Sequence, residues 1–162
     1  MKSKKQNNKV AIIMGSQSDH SIMKDCEKIL KILKIKYQVS IVSAHRTPKR
    51  MFDFAEKAEK NGFGVIVAGA GGAAHLAGMV ASLTTLPVIG VPIESKKLKG
   101  LDSLLSVNQM PRGVVVATVA IDGSFNAGIL AASIIGNFDE KVKSNLEKWR
   151  RIQTQSIKKR PK

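Results

Sequence analysis

The chain has a single cysteine, Cys26, so no disulfide can form within it, and a reducing cytoplasm is the compartment that fits. Aromatic residues are scarce, at 4% of 162 residues, whereas 43% are apolar; the core must be aliphatic and rich in small side chains. No apolar run approaches the ~18–20 residues needed to cross a bilayer, which excludes a transmembrane helix. The basic start, Met1 to Asn8, leads into too short an apolar stretch for a secretory signal. Acidic residues are few, 12 against 27 lysines and arginines, for a formal charge of +15. That balance raises nucleic acid as a partner. The lysines are spread, however, over the two ends and one helix (Lys24, Lys28, Lys31, Lys34), with no interleaved aromatics to stack bases. Specific nucleic-acid binding is therefore not expected, and the field serves to gather anionic substrates. Cysteine and histidine are too few, and too unfavourably spaced, to mark a metal site.

What is present alternates. Val10 to Met14 is a continuous apolar run, as in a strand buried on both faces of a parallel sheet. Ile22, Cys26, Ile29, Leu30 and Leu33 follow at helical spacing, placing Cys26 as a buried thiol. A second strand is expected from Tyr37 to Val42, then a helix marked by Met51, Phe54, Ala55 and Ala58 and closed by Asn61-Gly62. Gly64 to Ala68 reads as the third strand, followed by a small-residue helix to about Leu83. Val88 to Val91 reads as the fourth strand, stopped by Pro92. Ser95 to Val107 is expected to be polar with one helical turn near Asp102 to Leu105, and Asn108 to Gly113 a loop. Val114 to Ala117 is the fifth expected strand, Ala127 to Ile135 a helix, and Asp139 to about Gln155 the last helix, striped by Val142, Leu146, Trp149 and Ile152. This alternation implies a three-layer αβα fold with a parallel sheet and right-handed crossovers. The chain is read as one domain: a basic disordered tail over residues 1–8, an α/β core over 9–138, a C-terminal helix over 139–156 and a basic tail over 157–162.

In such folds ligands bind beyond the carboxyl ends of the strands. Three of those ends carry chemistry here: Ser16, Ser18 and Asp19 after the first, Ser43, His45 and Arg46 after the second, and Gly71 with His75 after the third. Each has a plainer reading, since Ser and Asp at a helix start are ordinary caps. Together on one edge they suggest a site for a phosphorylated sugar. Asp19 suits ribose hydroxyls, and Ser16, Ser43 and Arg46 suit a phosphate. Pro48 fits a first helical position, with Ser43 or Thr47 serving amides just before it. The glycine-rich run from Gly69 to Ala74, with Glu94 about 20 residues beyond, matches the dinucleotide pattern only loosely. It falls after the third strand rather than the first, and its small residues suit the close approach of a flat ring. His45 has the strongest case for acid–base chemistry, because imidazole exchanges protons near neutral pH. For His75 a structural role and a substrate contact stand level, and His20 is expected to point elsewhere. No nucleophile with a partnered base is evident.

Gly15-Ser16-Gln-Ser18-Asp19, Ser43-Ala-His45-Arg46-Thr-Pro48, Ala68 to Leu76 and Gln109-Met-Pro-Arg-Gly113 together resemble the 5-(carboxyamino)imidazole ribonucleotide mutases, the PurE class I family, in register over about Val10 to Arg151. The His-Arg-Thr-Pro form resembles class I, whereas the related carboxylases that use free carbon dioxide typically read His-Lys-Gly-Pro. The resemblance implies a flavodoxin-like fold, a homo-octamer, and isomerisation of a carbamate to a ring carboxylate without cofactor or metal. The apolar stripe of the last helix, long for a terminal element, is expected to extend onto a neighbouring subunit, the alternative being a monomer with that stripe folded back. It further implies His45 as the catalytic acid and base, with Ser16, Asp19 and Arg46 as substrate contacts and Ser18, Ser43, Gly71 and His75 beside them. A cytoplasmic enzyme of purine synthesis is expected, with a ribonucleotide substrate and transient contact with the carboxyaminoimidazole ribonucleotide synthetase. Carbon dioxide is expected to stay trapped during the reaction, and the loop from Asn108 to Gly113 is expected to close the pocket. Ala77 stands where the family usually has proline, and Ile121 to Phe125 is about two residues shorter than the family's loop. Two alternatives stay open: an aminoimidazole ribonucleotide carboxylase using free carbon dioxide, and a non-catalytic nucleotide-binding protein of flavodoxin-like fold.

Overall fold

The computed structural model describes residues 7–160. Five parallel strands form one sheet: β1 (Lys9–Met14), β2 (Tyr37–Ile41), β3 (Phe63–Gly71), β4 (Val88–Ile93) and β5 (Ala117–Thr118). Their order, β2-β1-β3-β4-β5, is the flavodoxin-like one. Six helices connect and close them: α1 (His20–Ile32), α2 (Pro48–Lys57), α3 (Leu76–Ala81), α4 (Leu101–Asn108), α5 (Ser124–Gly136) and α6 (Glu140–Ser156).

The strand alternation divides the core. Val10, Ile12 and Met14 of β1, with Val65 and Val67 of β3, face α1, α5 and α6, where they meet Met23, Cys26, Ile29, Ala131 and Leu146. Ala11 and Ile13, with Ile66 and Ala68, face the other way onto Met51, Ala55, Leu76 and Val107 of α2, α3 and α4. Continuous apolarity in β1 and β3 therefore reflects two covered faces. The edge strand β2 is only partly buried, and its register places Val10 beside Tyr37 and Met14 beside Ile41.

Three expectations are corrected. β4 does not stop at Pro92 but continues to Ile93, with Pro92 paired to Ala70 of β3. The ladder bonds alternate between neighbours, and those of Gly90 and Pro92 face the β5 side, where Val119 and Asp122 donate to their carbonyls. β5 pairs only with Ile89 and Gly90, so the missing N–H of Pro92 meets no partner strand. The segment from Ser95 to Val107 holds most of a full helix, α4, rather than one turn; Gly100 precedes its first residue in the left-handed region, φ 87°. β5 begins at Ala117, not Val114, because a turn from Pro111 to Val114 leaves Val115 79% exposed.

Residues 1–6 of the expected N-terminal tail lie outside the described residues. Asn7 and Asn8 are tied down, Asn7 Nδ2 donating to Glu59 O at 3.1 Å and Asn8 Nδ2 to Asp139 Oδ2 at 3.1 Å. The stripe of α6 folds back on its own chain as far as Trp149, whose ring lies 5.9 Å from that of Phe125; Ile152 is 65% exposed. Among the described residues no helix is long and apolar enough to cross a membrane.

Candidate active site

The ends of β1, β2, β3 and β4 open onto a pocket of about 410 Å³, at the switch point where the chain leaves the central strands in opposite directions. Ser16, Ser18, Asp19, Ser43, His45, Arg46, Gly71 and His75 all line it, so every site residue expected from the sequence is brought to one place. Ala44, Leu76 and Ile93 supply apolar wall, and Glu94 and Ser95 a polar rim.

After β1 the chain turns through a single 3₁₀ turn, Gln17–Asp19, into α1. Asp19 Oδ2 accepts from Ser16 N at 2.9 Å and from Ser16 Oγ at 3.1 Å, and Ser16 Oγ lies 2.6 Å from Ser18 Oγ. One carboxylate oxygen closes the turn, as the capping reading expects, and the same residues line the pocket. After β2, Ser43 is buried and its Oγ accepts from Arg46 N at 3.3 Å and Arg46 Nε at 3.4 Å. Arg46 Nη2 donates to Gly15 O at 2.9 Å, which clips the β1 and β2 ends together and aims the guanidinium across the pocket. Thr47 turns its hydroxyl back to Ser43 rather than capping α2, and Pro48 opens that helix as expected.

His45 and His75 meet at the centre. His45 Nε2 lies 2.9 Å from His75 Nδ1, with the rings edge-on at 88° and their centroids 5.0 Å apart. One nitrogen must donate and the other accept, so the pair shares a proton position and fixes each ring's orientation. His75 is the residue from which α3 starts, its side chain making no cap bond to that helix, and the same residue lines the pocket. His20 does point elsewhere, its Nε2 lying 2.9 Å from Glu27 Oε1.

The loop expected to close the pocket does not line it. Met110 and Pro111 instead border a neighbouring apolar hollow of about 320 Å³, beside Gly78 and Met79, that shares His75 with the pocket. Ala77 is buried in the first turn of α3, which starts at Leu76. The short segment from Ile121 is stapled to the end of β4: Asp122 Oδ1 accepts from Glu94 N at 2.9 Å, and Asp122 N donates to Pro92 O at 2.8 Å. The buried Ser103 and the half-buried Asp102 and Asp122 carried no signal in the sequence, because Ser and Asp in a polar stretch have no periodicity to betray their contacts. The Ser95 hydroxyl beside Asp102, at 2.6 Å, holds that carboxyl below the usual carboxylate range. Among the described residues no group of three or more His, Cys, Asp or Glu is placed to hold a metal.

A doubly wound sheet gathers a histidine pair, an arginine and a cluster of hydroxyls at its switch point, groups chemically suited to proton transfer and to holding a small anion. The chain belongs to the AIR carboxylase family, whose model matches residues 9–156. It is 49% identical to the N5-carboxyaminoimidazole ribonucleotide mutase of Escherichia coli strain K12, over 99% of this chain and 96% of that protein. It is 58% identical to the mutase of Thermotoga maritima, over 88% of this chain and 86% of that one. The crystal structure of Treponema denticola PurE superposes with a TM-score of 0.84 at 28% identity, covering 92% of this chain and 93% of that one.

Proposed function

We propose that this protein is an N5-carboxyaminoimidazole ribonucleotide mutase, an isomerase of purine biosynthesis. The observation that carries the reading is the His45–His75 pair, 2.9 Å apart, in a pocket whose other walls offer Arg46, Ser16 and Asp19. Ser16, Ser18 and Arg46 hold the phosphate, and Asp19 keeps one carboxylate oxygen free for ribose hydroxyls. Gly71 and Ser43 flank the flat imidazole.

His45 carries the proton. As the carbamate C–N bond breaks, the electron pair stays on nitrogen, His45 delivers a proton there, and carbon dioxide is released into the pocket. Carbon 4 then forms its bond to carbon dioxide, and neutral His45 removes the hydrogen left on that carbon, restoring the ring and its own proton. The net change is an isomerisation, with no oxidant or further reactant required. Retention of carbon dioxide by the walls makes recapture faster than escape.

The pocket is open to one side in a single chain. Val115, Leu101, Leu105 and Ile152 are exposed around the molecule. Both features support a homo-octamer in which other copies complete the enclosure and meet the end of α6. A transient contact with the synthetase that makes the short-lived carbamate belongs to the same proposal.

The test is a spectrophotometric assay on the carbamate substrate without ATP, metal or bicarbonate, alongside aminoimidazole ribonucleotide with bicarbonate. Conversion of the carbamate, with kcat falling roughly 10²–10⁴-fold in His45→Asn, is the expected result. Turnover of only the second pair of substrates would make the protein a carboxylase.

A further inference from the structure

The pocket floor is held by residues that do not line it. Gly72 follows β3 in the left-handed region, φ 69°, and begins the segment that ends at His75. Its N–H donates to Ser103 Oγ at 2.8 Å, and Ser103 Oγ donates in turn to Ile93 O at 2.6 Å. Ser103 is fully buried in the first turn of α4. The β3–β4 ladder ends at the Gly71–Ile93 pair, so this hydroxyl acts as one more rung, bridging the two strands just past their last direct pairing. A hydroxyl has one proton and two lone pairs, which lets it serve an amide and a carbonyl together.

The rung is itself fixed. Ser103 N donates to Asp102 Oδ1 at 2.9 Å, and Ser95 Oγ donates to the same oxygen at 2.6 Å. On the other side of Gly72, His75 N donates to Ala73 O at 2.9 Å, and His75 Nδ1 lies 2.9 Å from His45 Nε2. Only three residues of backbone separate the Ser103 rung from the histidine that faces His45.

We propose that Ser103 is a positioning residue for the proton transfer: through Gly72 it sets the segment that holds His75 against His45. It touches no substrate. The effect on turnover rests on the proposed function, whereas the placement of the two rings can be read without any turnover.

Ser103→Ala removes the hydroxyl that pairs the partly buried Gly72 amide and the buried Ile93 carbonyl. With the segment loosened, kcat is expected to fall about 10–100-fold and KM to change less than about threefold, since a displacement near 1 Å is enough for such a loss. Ser124→Ala is the control for buried-hydroxyl loss alone: Ser124 is equally buried, and its Oγ donates to Ile22 O at 2.6 Å, at the start of α5. It should lose stability comparably and keep kcat within about twofold, because neither Ser124 nor Ile22 lines the pocket.

The chain has only three histidines, so ¹³C-labelled imidazole signals can be assigned individually. Ser103→Ala should shift the His45 and His75 signals and leave His20, paired to Glu27, in place; Ser124→Ala, whose partner Ile22 lies in the same helix as His20, should leave the His45 and His75 signals in place. Should the alanine variant not fold, Ser103→Cys keeps the shape with a weaker donor and is read in the same way. Unmoved His45 and His75 signals in a folded Ser103 variant overturn the proposal. If wild-type enzyme fails to turn over the carbamate, the functional reading falls, and the ring signals alone then decide the placement claim.

Discussion

Cys26 shows how one side chain reports its surroundings. It is fully buried between α1 and α5, and burial, with a smaller contribution from the Glu27 charge, pushes its thiol from 9.0 up to about 12. A raised folded-state value means that the fold favours the protonated thiol. That contribution is fully present below pH 9 and is lost as pH rises from 9 through 12, where the unfolded chain ionises and the folded one does not. Cys26→Ala should therefore lose less stability than wild type over this interval. The difference should reach up to a few kcal/mol, at about 1.4 kcal/mol for each tenfold change in proton affinity, as read from denaturant midpoints at each pH. In the folded protein at pH 8 the thiol should not react with a disulfide reagent, and it should do so once denatured. Equal slopes for variant and wild type would show that Cys26 ionises alike in both states.

At the scale of the element, α5 shows why its small residues are where they are. Ala127, Gly128, Ala131 and Ala132 are buried against α1 and the sheet, which lets two helices approach closely. A Cβ on Gly128 would lie 2.4 Å from Ile29 Cγ2 and 3.3 Å from Cys26 O, neither of which can swing away. Gly128→Ala should destabilise by about 1–3 kcal/mol despite the better helix propensity, because overpacking outweighs it. At Gly136, the last position of the same helix, the nearest atoms to an added Cβ would be those of Lys143, at 3.4 Å and beyond, an ordinary contact. Gly136→Ala should be stabilising by roughly 0.5–1 kcal/mol. Chemical denaturation of both variants checks the pair, and like signs would refute the packing argument.

For the whole molecule, the arrangement of charge and apolar surface matters more than any one contact. The +15 charge spreads over α1, α6 and the ends, which favours capture of an anionic substrate over any one macromolecular partner. Val115 at 79%, Leu101 at 53% and Ile152 at 65% leave apolar side chains in solvent, and contact between copies in the proposed octamer would cover them. Light scattering on the purified protein should give eight times the 17.5 kDa chain mass. A mass of one chain would leave the pocket open to solvent and remove the octamer from the proposal.

The sequence by itself determined the alternation of strands and helices, since continuous apolar runs and 3.6-residue spacing are local properties of the chain. It also determined which residues gather at the pocket: Ser16, Asp19, Ser43, His45, Arg46 and His75 follow a strand and Gly71 ends one, and parallel strands bring those ends to one edge. What it could not convey was contact across elements. That Pro92 is harmless within β4 depends on where β5 stops, and that the α6 stripe closes on Phe125 as far as Trp149 depends on how α5 lies. The 2.9 Å meeting of His45 and His75, thirty residues apart, and the buried Ser103 rung behind it were decided only by tertiary structure, because hydrogen bonds between distant residues leave no period in the chain.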